Sequence, residues 1–318
     1  MKKYTFALLL FSFLYLGASA QKQNTYFIKN NGQYVTQRDS ADFIRIVQEP
    51  EKDSKLFLTR EYYKDGTKKA IGLSAKIDPP KYEGIYIAYY KNGKTKQVAN
   101  YKNGQLTDTV YNYYPNGRLY STLVYTAHSN PSEPAYDIKT LNDSTGNTLV
   151  ADGNGQCNLY DNDFNRIYER GTVKNGKREG VWTGEDEKQK FTYTETYAAG
   201  KLISGESKDD ENVVTSYTNA FVQPEFKGGM KQFYQFLGKN IRYPRNCITQ
   251  RIQGVVLLNF IVEKDGTLNH IRVVNYADTE LAAEAVRVLK SSPNWMPGAM
   301  RGRIVNVSYN VPVSFALN

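Results

Sequence analysis

Between residues 60 and 200 the chain repeats a short aromatic signature that leaves it few folds to choose from. Tyr62-Tyr63-Lys64-Asp65-Gly66 returns as Tyr89-Tyr90-Lys91-Asn92-Gly93 and again as Tyr113-Tyr114-Pro115-Asn116-Gly117, with a half-copy, Tyr101-Lys102-Asn103-Gly104, between the last two. Lys174-Asn175-Gly176-Lys177, followed by Glu179-Gly180-Val181-Trp182, is a later variant. Asn-Gly or Asp-Gly between aromatic-rich flanks is the strongest short signal for a β-hairpin, because Gly supplies the positive φ that a type I′ turn demands. The flanking tyrosines can stack across strands and keep a polar tip in water. Of the 26 tyrosines, 17 fall between positions 61 and 200, so the pattern belongs to this region and not to the chain at large. The expected product is an extended antiparallel meander.

The flanks of that region read differently. Asn30-Asn31-Gly32 marks a further hairpin, and Phe43-Ile44-Arg45-Ile46-Val47 an apolar strand. Residues 127–160, rich in Ser, Asn, Asp and Gly, break the repeat and read as a long irregular connection. At the N-terminus, Met1-Lys2-Lys3 is a basic segment, Tyr4 to Leu16 an apolar one, and Ala18-Ser19-Ala20 a small-residue cleavage site. Together they make the pattern of a secretory signal peptide, with a mature chain from Gln21 in the periplasm. An uncleaved inner-membrane anchor is the alternative. The division expected is 1–20 signal peptide, 21–203 hairpin-repeat domain, 204–221 polar linker and 222–318 C-terminal domain. Export permits a bridge between Cys157 and Cys247, but two separate buried thiols is the simpler reading.

Charge is concentrated at the C-terminal end. Of the formal +9, residues 221–318 contribute 12 Lys/Arg against 6 Asp/Glu. Such a field favours acidic partners or surfaces, and export removes nucleic acid as a target. Catalysis finds little support: the two histidines, His128 and His270, have no metal-ligand spacing around them, and no nucleophile elbow or P-loop occurs. Asp152 to Gly155, with Asp161 and Asp163, lacks the full calcium loop. Glu185-Asp186-Glu187 reads as a solvated turn. No catalytic residue, metal or cofactor is assigned.

After residue 222 the periodicity changes. Met230, Phe233, Tyr234 and Leu237 follow helical spacing, with Gly228-Gly229 before them and Tyr243-Pro244 after. Val255 to Val262 is a strand apolar on both faces, hence central or covered on both sides. Lys264-Asp265-Gly266 turns it into a second strand, Leu268 to Val274. A helix runs from about Asp278 to Lys290, with Leu281, Ala285, Val288 and Leu289 on one face and Asp278 as its N-cap. In the last strand Val305, Val307, Tyr309, Val311, Val313 and Phe315 alternate with polar residues, and Pro312 suits an edge position.

This order, α-β-β-α-β, carries Pro224-x-Phe226-x-Gly228-Gly229, Tyr243-Pro244, Gly254-x-Val256, Asp265-Gly266, Glu284-Ala285, Trp295-x-Pro297-Gly298 and a terminal Val-x-Tyr-x-Val-Pro-Val-x-Phe. It resembles the TonB C-terminal domain over about residues 222–318. The Tyr-Tyr-x-Asn-Gly-Lys units resemble MORN-type and YwqK-type antitoxin-like repeats over roughly 60–200. The fold class implied is α+β: a hairpin-repeat meander, then a TonB-type domain with a three-stranded antiparallel sheet and two helices.

The TonB resemblance implies capture of a short peptide from an outer-membrane receptor or other envelope protein, added as a strand along Val305, Asn306, Val307, Ser308, Tyr309, Asn310, Val311 and Val313. Asn240, Ile241, Arg242, Tyr243 and Pro244 would lie near that peptide. Gly228, Gly229, Gly254, Gly266, Trp295, Pro297 and Gly298 would be structural. The energy-transducing members carry a membrane helix and a Pro-rich spacer. This chain has only 11 Pro and a repeat domain in the spacer's place, so a binding module linked to TonB-dependent transport is the first reading. An anchored energy transducer is the second. A repeat scaffold that contacts lipid or cell wall is the third.

Overall fold

The computed structural model describes residues 22–125, 136–275 and 277–317. The expected signal segment and His128 lie outside the described residues. The chain divides into two compact units, residues 1–120 and 121–318.

In the first unit Gln23–Ile28 pairs with Tyr34–Val35 and with Phe43–Gln48. From there the strands run in sequence order: Phe57–Tyr63, Lys68–Ser74, Tyr82–Tyr89, Thr95–Lys102 and Gln105–Tyr113, each antiparallel to the one before. The turns are of two kinds. Asn103-Gly104 has both φ values positive, 55° and 78°, as a type I′ turn requires. At Asp65-Gly66, Asn92-Gly93 and Asn116-Gly117 only the Gly is positive, and bonds such as Tyr90 N–H to the Lys94 carbonyl close a longer loop. These loops match a type I turn closed by a glycine bulge, so the expectation of type I′ turns throughout is corrected.

The doubled tyrosine has a definite use. Its second member reaches along the stack to the next copy: Tyr63 OH donates to the Tyr89 carbonyl (2.9 Å) and Tyr90 OH to the Tyr113 carbonyl (2.6 Å). The loops add Lys94 Nζ to the Asn116 carbonyl. Inside, Val47 and Val110 are fully buried, and the buried Glu61 is held by Arg45 and Lys69.

The second unit continues the hairpin pattern. Residues 121–125 pair with Tyr136–Asn142, and Thr148–Ala151, Asn154–Tyr160, Ile167–Lys174, Lys177–Asp186, Phe191–Ala198, Lys201–Asp209 and Val214–Tyr217 follow in antiparallel order. Two expectations are corrected here. The stretch 127–160 holds three strands beyond residue 135, and 204–221 is not a free linker but carries the end of one strand and the whole of another. Apart from the buried Ser207, their polar residues lie at intermediate or exposed positions on a sheet, and composition alone reads such strands as loops. The inner face relies on aromatic rings lying flat over glycines. Gly171 stands opposite Trp182, Gly184 opposite Tyr193 and Gly205 opposite Tyr217, and a Cβ on any of these glycines would come within 2.3 Å of the ring.

Beyond Tyr217 come helix α1 (Gly229–Asn240), the short α2 (Arg245–Thr249), strands Gly254–Val262 and Leu268–Val273, helix α3 (Thr279–Lys290), and a hairpin of Gly298–Met300 with Arg303–Val305. The last strand, Val307–Phe315, completes the order. The hairpin joins Phe221–Val222 in a small sheet. The other three strands form an antiparallel sheet with Gly254–Val262 in the middle.

Its inner face presents Val256, Leu258, Phe260 and Val262, all fully buried, against Phe233 and Leu237 of α1 and Leu281, Ala285, Val288 and Leu289 of α3. Each such side chain contributes about 1.5–3 kcal/mol through burial. Trp295 sits among Phe226, Phe233, Phe260 and Tyr309, with ring centroids 5.2 to 5.8 Å away. Asp278 caps α3, accepting from the N–H groups of Glu280 and Leu281. Tyr234, expected on the buried stripe of α1, is 51% exposed. Phe226 packs on Phe233 and Phe236 and turns the stripe toward Phe236. The middle strand is not covered on both sides: Val255 on its outer face is 49% exposed.

Candidate functional site: the open edge of the last strand

The last strand has one paired side and one open side. Its register places Val256 opposite Val313, Leu257 opposite Pro312, Leu258 opposite Val311 and Asn259 opposite Asn310. Two bonds fix which residues point which way. Leu257 donates its N–H to Asn275 Oδ1 (2.7 Å), and its carbonyl accepts from Val274 N–H (2.9 Å). Both Leu257 groups therefore face the second strand, away from Pro312. The Val255 carbonyl, bonded to Asn275 Nδ2, points the same way.

Antiparallel pairing alternates hydrogen-bonded and non-bonded pairs. Val307, Tyr309, Val311, Val313 and Phe315 hence direct their N–H and C=O groups inward to the ladder. Ser308, Asn310, Pro312 and Ser314 direct theirs outward. The side chains of these four are also exposed, whereas Val311, Val313 and Phe315 are buried. The edge therefore offers three N–H donors and four carbonyls with no partner among the described residues. A row of unpaired groups of this kind is a template for an added strand.

Asn259 braces this edge from behind. It is buried to 9% exposure, and its Nδ2 donates to Ser308 Oγ and to Asn310 Oδ1, each at 2.9 Å. Its Oδ1 accepts from Arg272 Nε at 3.0 Å. Alternation pointed to Ser308 and Asn310 but not to Asn259, which looks like one polar interruption in an apolar run.

The expected site residues separate as follows. Val307 to Val313 share the edge strand. Val305 does not: it is buried in the hairpin, paired with Gly298. Asn306 breaks the run and accepts the Lys264 N–H on its Oδ1. One alternating pattern concealed two strands because the period-2 rhythm continues across the break.

Asn240 ends α1, and its carbonyl accepts from Arg287. Ile241 is its C-cap and Pro244 the N-cap of α2. The exposed Arg242 gives its N–H to Glu284, whose carboxyl is lowered by Arg287 and by this bond. Tyr243 donates to the Ile252 carbonyl (2.7 Å) and packs edge-on against Phe315 at 5.6 Å. The segment thus meets the C-terminal end of the edge strand through Tyr243.

Among the motif residues, Gly228 caps α1 at a φ of 88°, with Gly229 after it, and Gly254 opens the middle strand. Gly266 is required by its neighbour: a Cβ there would lie 2.0 Å from the Trp295 carbonyl oxygen. Pro297 precedes Gly298, which begins the small hairpin. His270 is exposed on the second strand at a φ of 51°. Arg166 pairs with both Glu185 and Glu187, and Asp161 closes a turn by accepting the Asn165 N–H. Cys157 and Cys247 are separate buried thiols. Burial pushes the first up to about 12 and the second to about 11.

Residues 239–317 match the sequence profile of the Gram-negative bacterial TonB protein C-terminal family. An NMR solution structure of the Helicobacter pylori TonB C-terminal domain is similar at 27% identity, covering 28% of this chain and 79% of that one, with a TM-score of 0.22. No curated protein matches the chain. Over residues 239–317 the chain is therefore similar to the Gram-negative bacterial TonB protein C-terminal family.

Proposed function

We propose that residues 222–318 capture an extended peptide from an envelope protein, an outer-membrane receptor in particular, by adding it as a strand along Val307–Phe315. The work belongs to TonB-dependent transport. The observation that carries this reading is the outward set of Ser308, Asn310, Pro312 and Ser314, whose backbone groups have no partner among the described residues and whose exposed side chains flank the approach. Main-chain bonds would give affinity, and the exposed Arg242 with the local excess of basic residues would favour an acidic peptide. The MORN-like hairpin repeats act as a scaffold for this module, and the mature protein works in the periplasm after cleavage at Ala20.

The test is an array of overlapping peptides from the periplasm-facing N-terminal segments of outer-membrane receptors encoded in the same genome, probed with the mature chain. Saturable binding that a proline at Asn310 removes supports strand addition. Equal binding by parent and variant, or none by the parent, refutes it. Intact mass and N-terminal sequencing of the envelope protein address location. A start at Gln21 supports a periplasmic module, and a start at Met1 in the inner membrane supports an anchored transducer.

A further inference from the structure

The hairpin that feeds the edge strand carries two arginines that lie outside the edge itself. Arg301 and Gly302 form its two-residue turn, with Met300 paired to Arg303. Arg301 has a φ of 48° and Gly302 of 76°. Two-residue turns of this kind select Asn, Asp or Gly at the first position, and Arg there is uncommon. A residue held in a poorly populated conformation persists where its surroundings demand it.

The surroundings are the interior of the hairpin-repeat sheet. Arg301 Nε donates to Glu195 Oε1 at 2.9 Å, and its NH2 lies 3.8 Å from Glu169 Oε1. Its guanidinium sits 3.6 Å above the Tyr193 ring. Its backbone is clamped on both sides: the N–H donates to the Ala220 carbonyl (2.7 Å) and the carbonyl accepts from Ser207 Oγ (2.9 Å). Arg303 extends the contact to Ser207 Oγ, Asp209 and the Val213 carbonyl. Gly302 approaches so closely that a Cβ would stand 2.7 Å from Thr215 Cγ2.

Charge balance makes this more than a contact. Glu195 is fully buried and Glu169 nearly so. Among the described residues the sheet itself supplies one cation to this pair, Arg178, which engages Glu169 through two bonds of 2.6 Å and lies 4.0 Å from Glu195. Tyr197 and Tyr217 each donate a hydroxyl to Glu195 at 2.9 Å. Two carboxylates against one guanidinium leave a buried negative charge, which is strongly unfavourable unless paired. Arg301 is the second cation. The sheet interior is electrostatically complete only with the C-terminal hairpin in place.

We infer that Arg301 and Arg303 form a latch that joins the sheet strands Ile167–Tyr217 and the C-terminal domain into one cooperative unit. The same latch sets the entry of strand Val307–Phe315, with Arg301 as a positioning residue for the open edge. The statement about the edge rests on the proposed strand addition; the statement about cooperativity does not.

The chain's two tryptophans, Trp182 in the sheet and Trp295 in the C-terminal domain, test it directly. Full-length Trp182→Phe and Trp295→Phe chains are unfolded in urea, each followed by the remaining tryptophan. Coincident transitions are expected with Arg301 intact, and separate ones after Arg301→Met. Separate transitions with Arg301 intact, or coincident ones in the variant, overturn the latch. Should Arg301→Met fail to fold, the charge-balanced Glu195→Gln/Arg301→Met chain is read by the same criterion. In parallel, a receptor peptide from the array should bind Arg301→Met about ten-fold more weakly. Unchanged affinity overturns the positioning role. Absence of binding by the parent would sink strand addition while leaving the urea criterion to judge the latch.

Discussion

Pro312 stands opposite Leu257 at a ladder position where a missing N–H removes no bond, because Leu257 spends both its backbone groups on Asn275 and Val274. That pairing orients every residue of the last strand, and it separates substitutions that affect binding from those that affect stability.

Proline at Ser308 or at Asn310 removes an outward N–H. Folding stability should fall only by the one Asn259 bond that each side chain accepts, less than at position 311, and peptide binding should be lost. Proline at Val311 removes an inward donor from the ladder and should destabilise the domain by about 1–3 kcal/mol. Urea midpoints alongside peptide titrations of the three variants check the alternation. Equal destabilisation at positions 310 and 311 would show that the register is wrong.

Asn259 links Ser308, Asn310 and Arg272 from a buried position. Asn259→Ala leaves those partners unanswered and should cost about 1–3 kcal/mol. Peptide affinity should fall with it, since the edge loses its brace. A stability within error of the parent would mean that water replaces the amide without loss.

The aromatic centre around Trp295 should behave as a close-packed core. Phe260→Ala removes a fully buried ring between Trp295 and Tyr309 and should cost about 3–5 kcal/mol. Denaturation of the Trp182→Phe chain with and without Phe260→Ala, followed by the remaining Trp295, measures it.

Both thiols should be silent in the native protein. Their pKa values are raised chiefly by burial, so the reactive thiolate is scarce at pH 8. A thiol-specific chromogenic reagent should find none in the folded chain and two after unfolding. Finding none in either state would reveal a disulfide.

The Asp278 carboxylate caps α3, and the bonds it accepts, that from Leu281 N–H first, hold its pKa below the usual carboxylate value. A depressed folded pKa gives stability that is fully present above the unfolded value, about 4. That stability is lost as pH falls through the folded value. The parent should therefore lose more stability than Asp278→Ala between pH 5 and pH 2, by roughly these limits, as read by thermal midpoints at each pH.

Much of this protein was written locally. The Asn-Gly and Asp-Gly turns, the helical spacing of Leu281, Ala285, Val288 and Leu289, and the Asp278 cap each depend on neighbours a few residues away, so the sequence by itself determined them. The alternation of the last strand likewise separated a buried face from an exposed one. Tertiary structure decided what depends on distant partners. It ended the strand at Val307, because Val305 pairs with Gly298. It exposed Tyr234, because Phe226 filled the space beside α1. It turned the polar stretch after residue 203 into strands, because their neighbours in the sheet supply the hydrogen bonds. It also brought Arg301 to Glu195 across about a hundred positions of chain. Periodicity reports which face a residue occupies. The partner that neutralises a buried charge or closes a ladder is chosen by three-dimensional proximity, which no local pattern encodes.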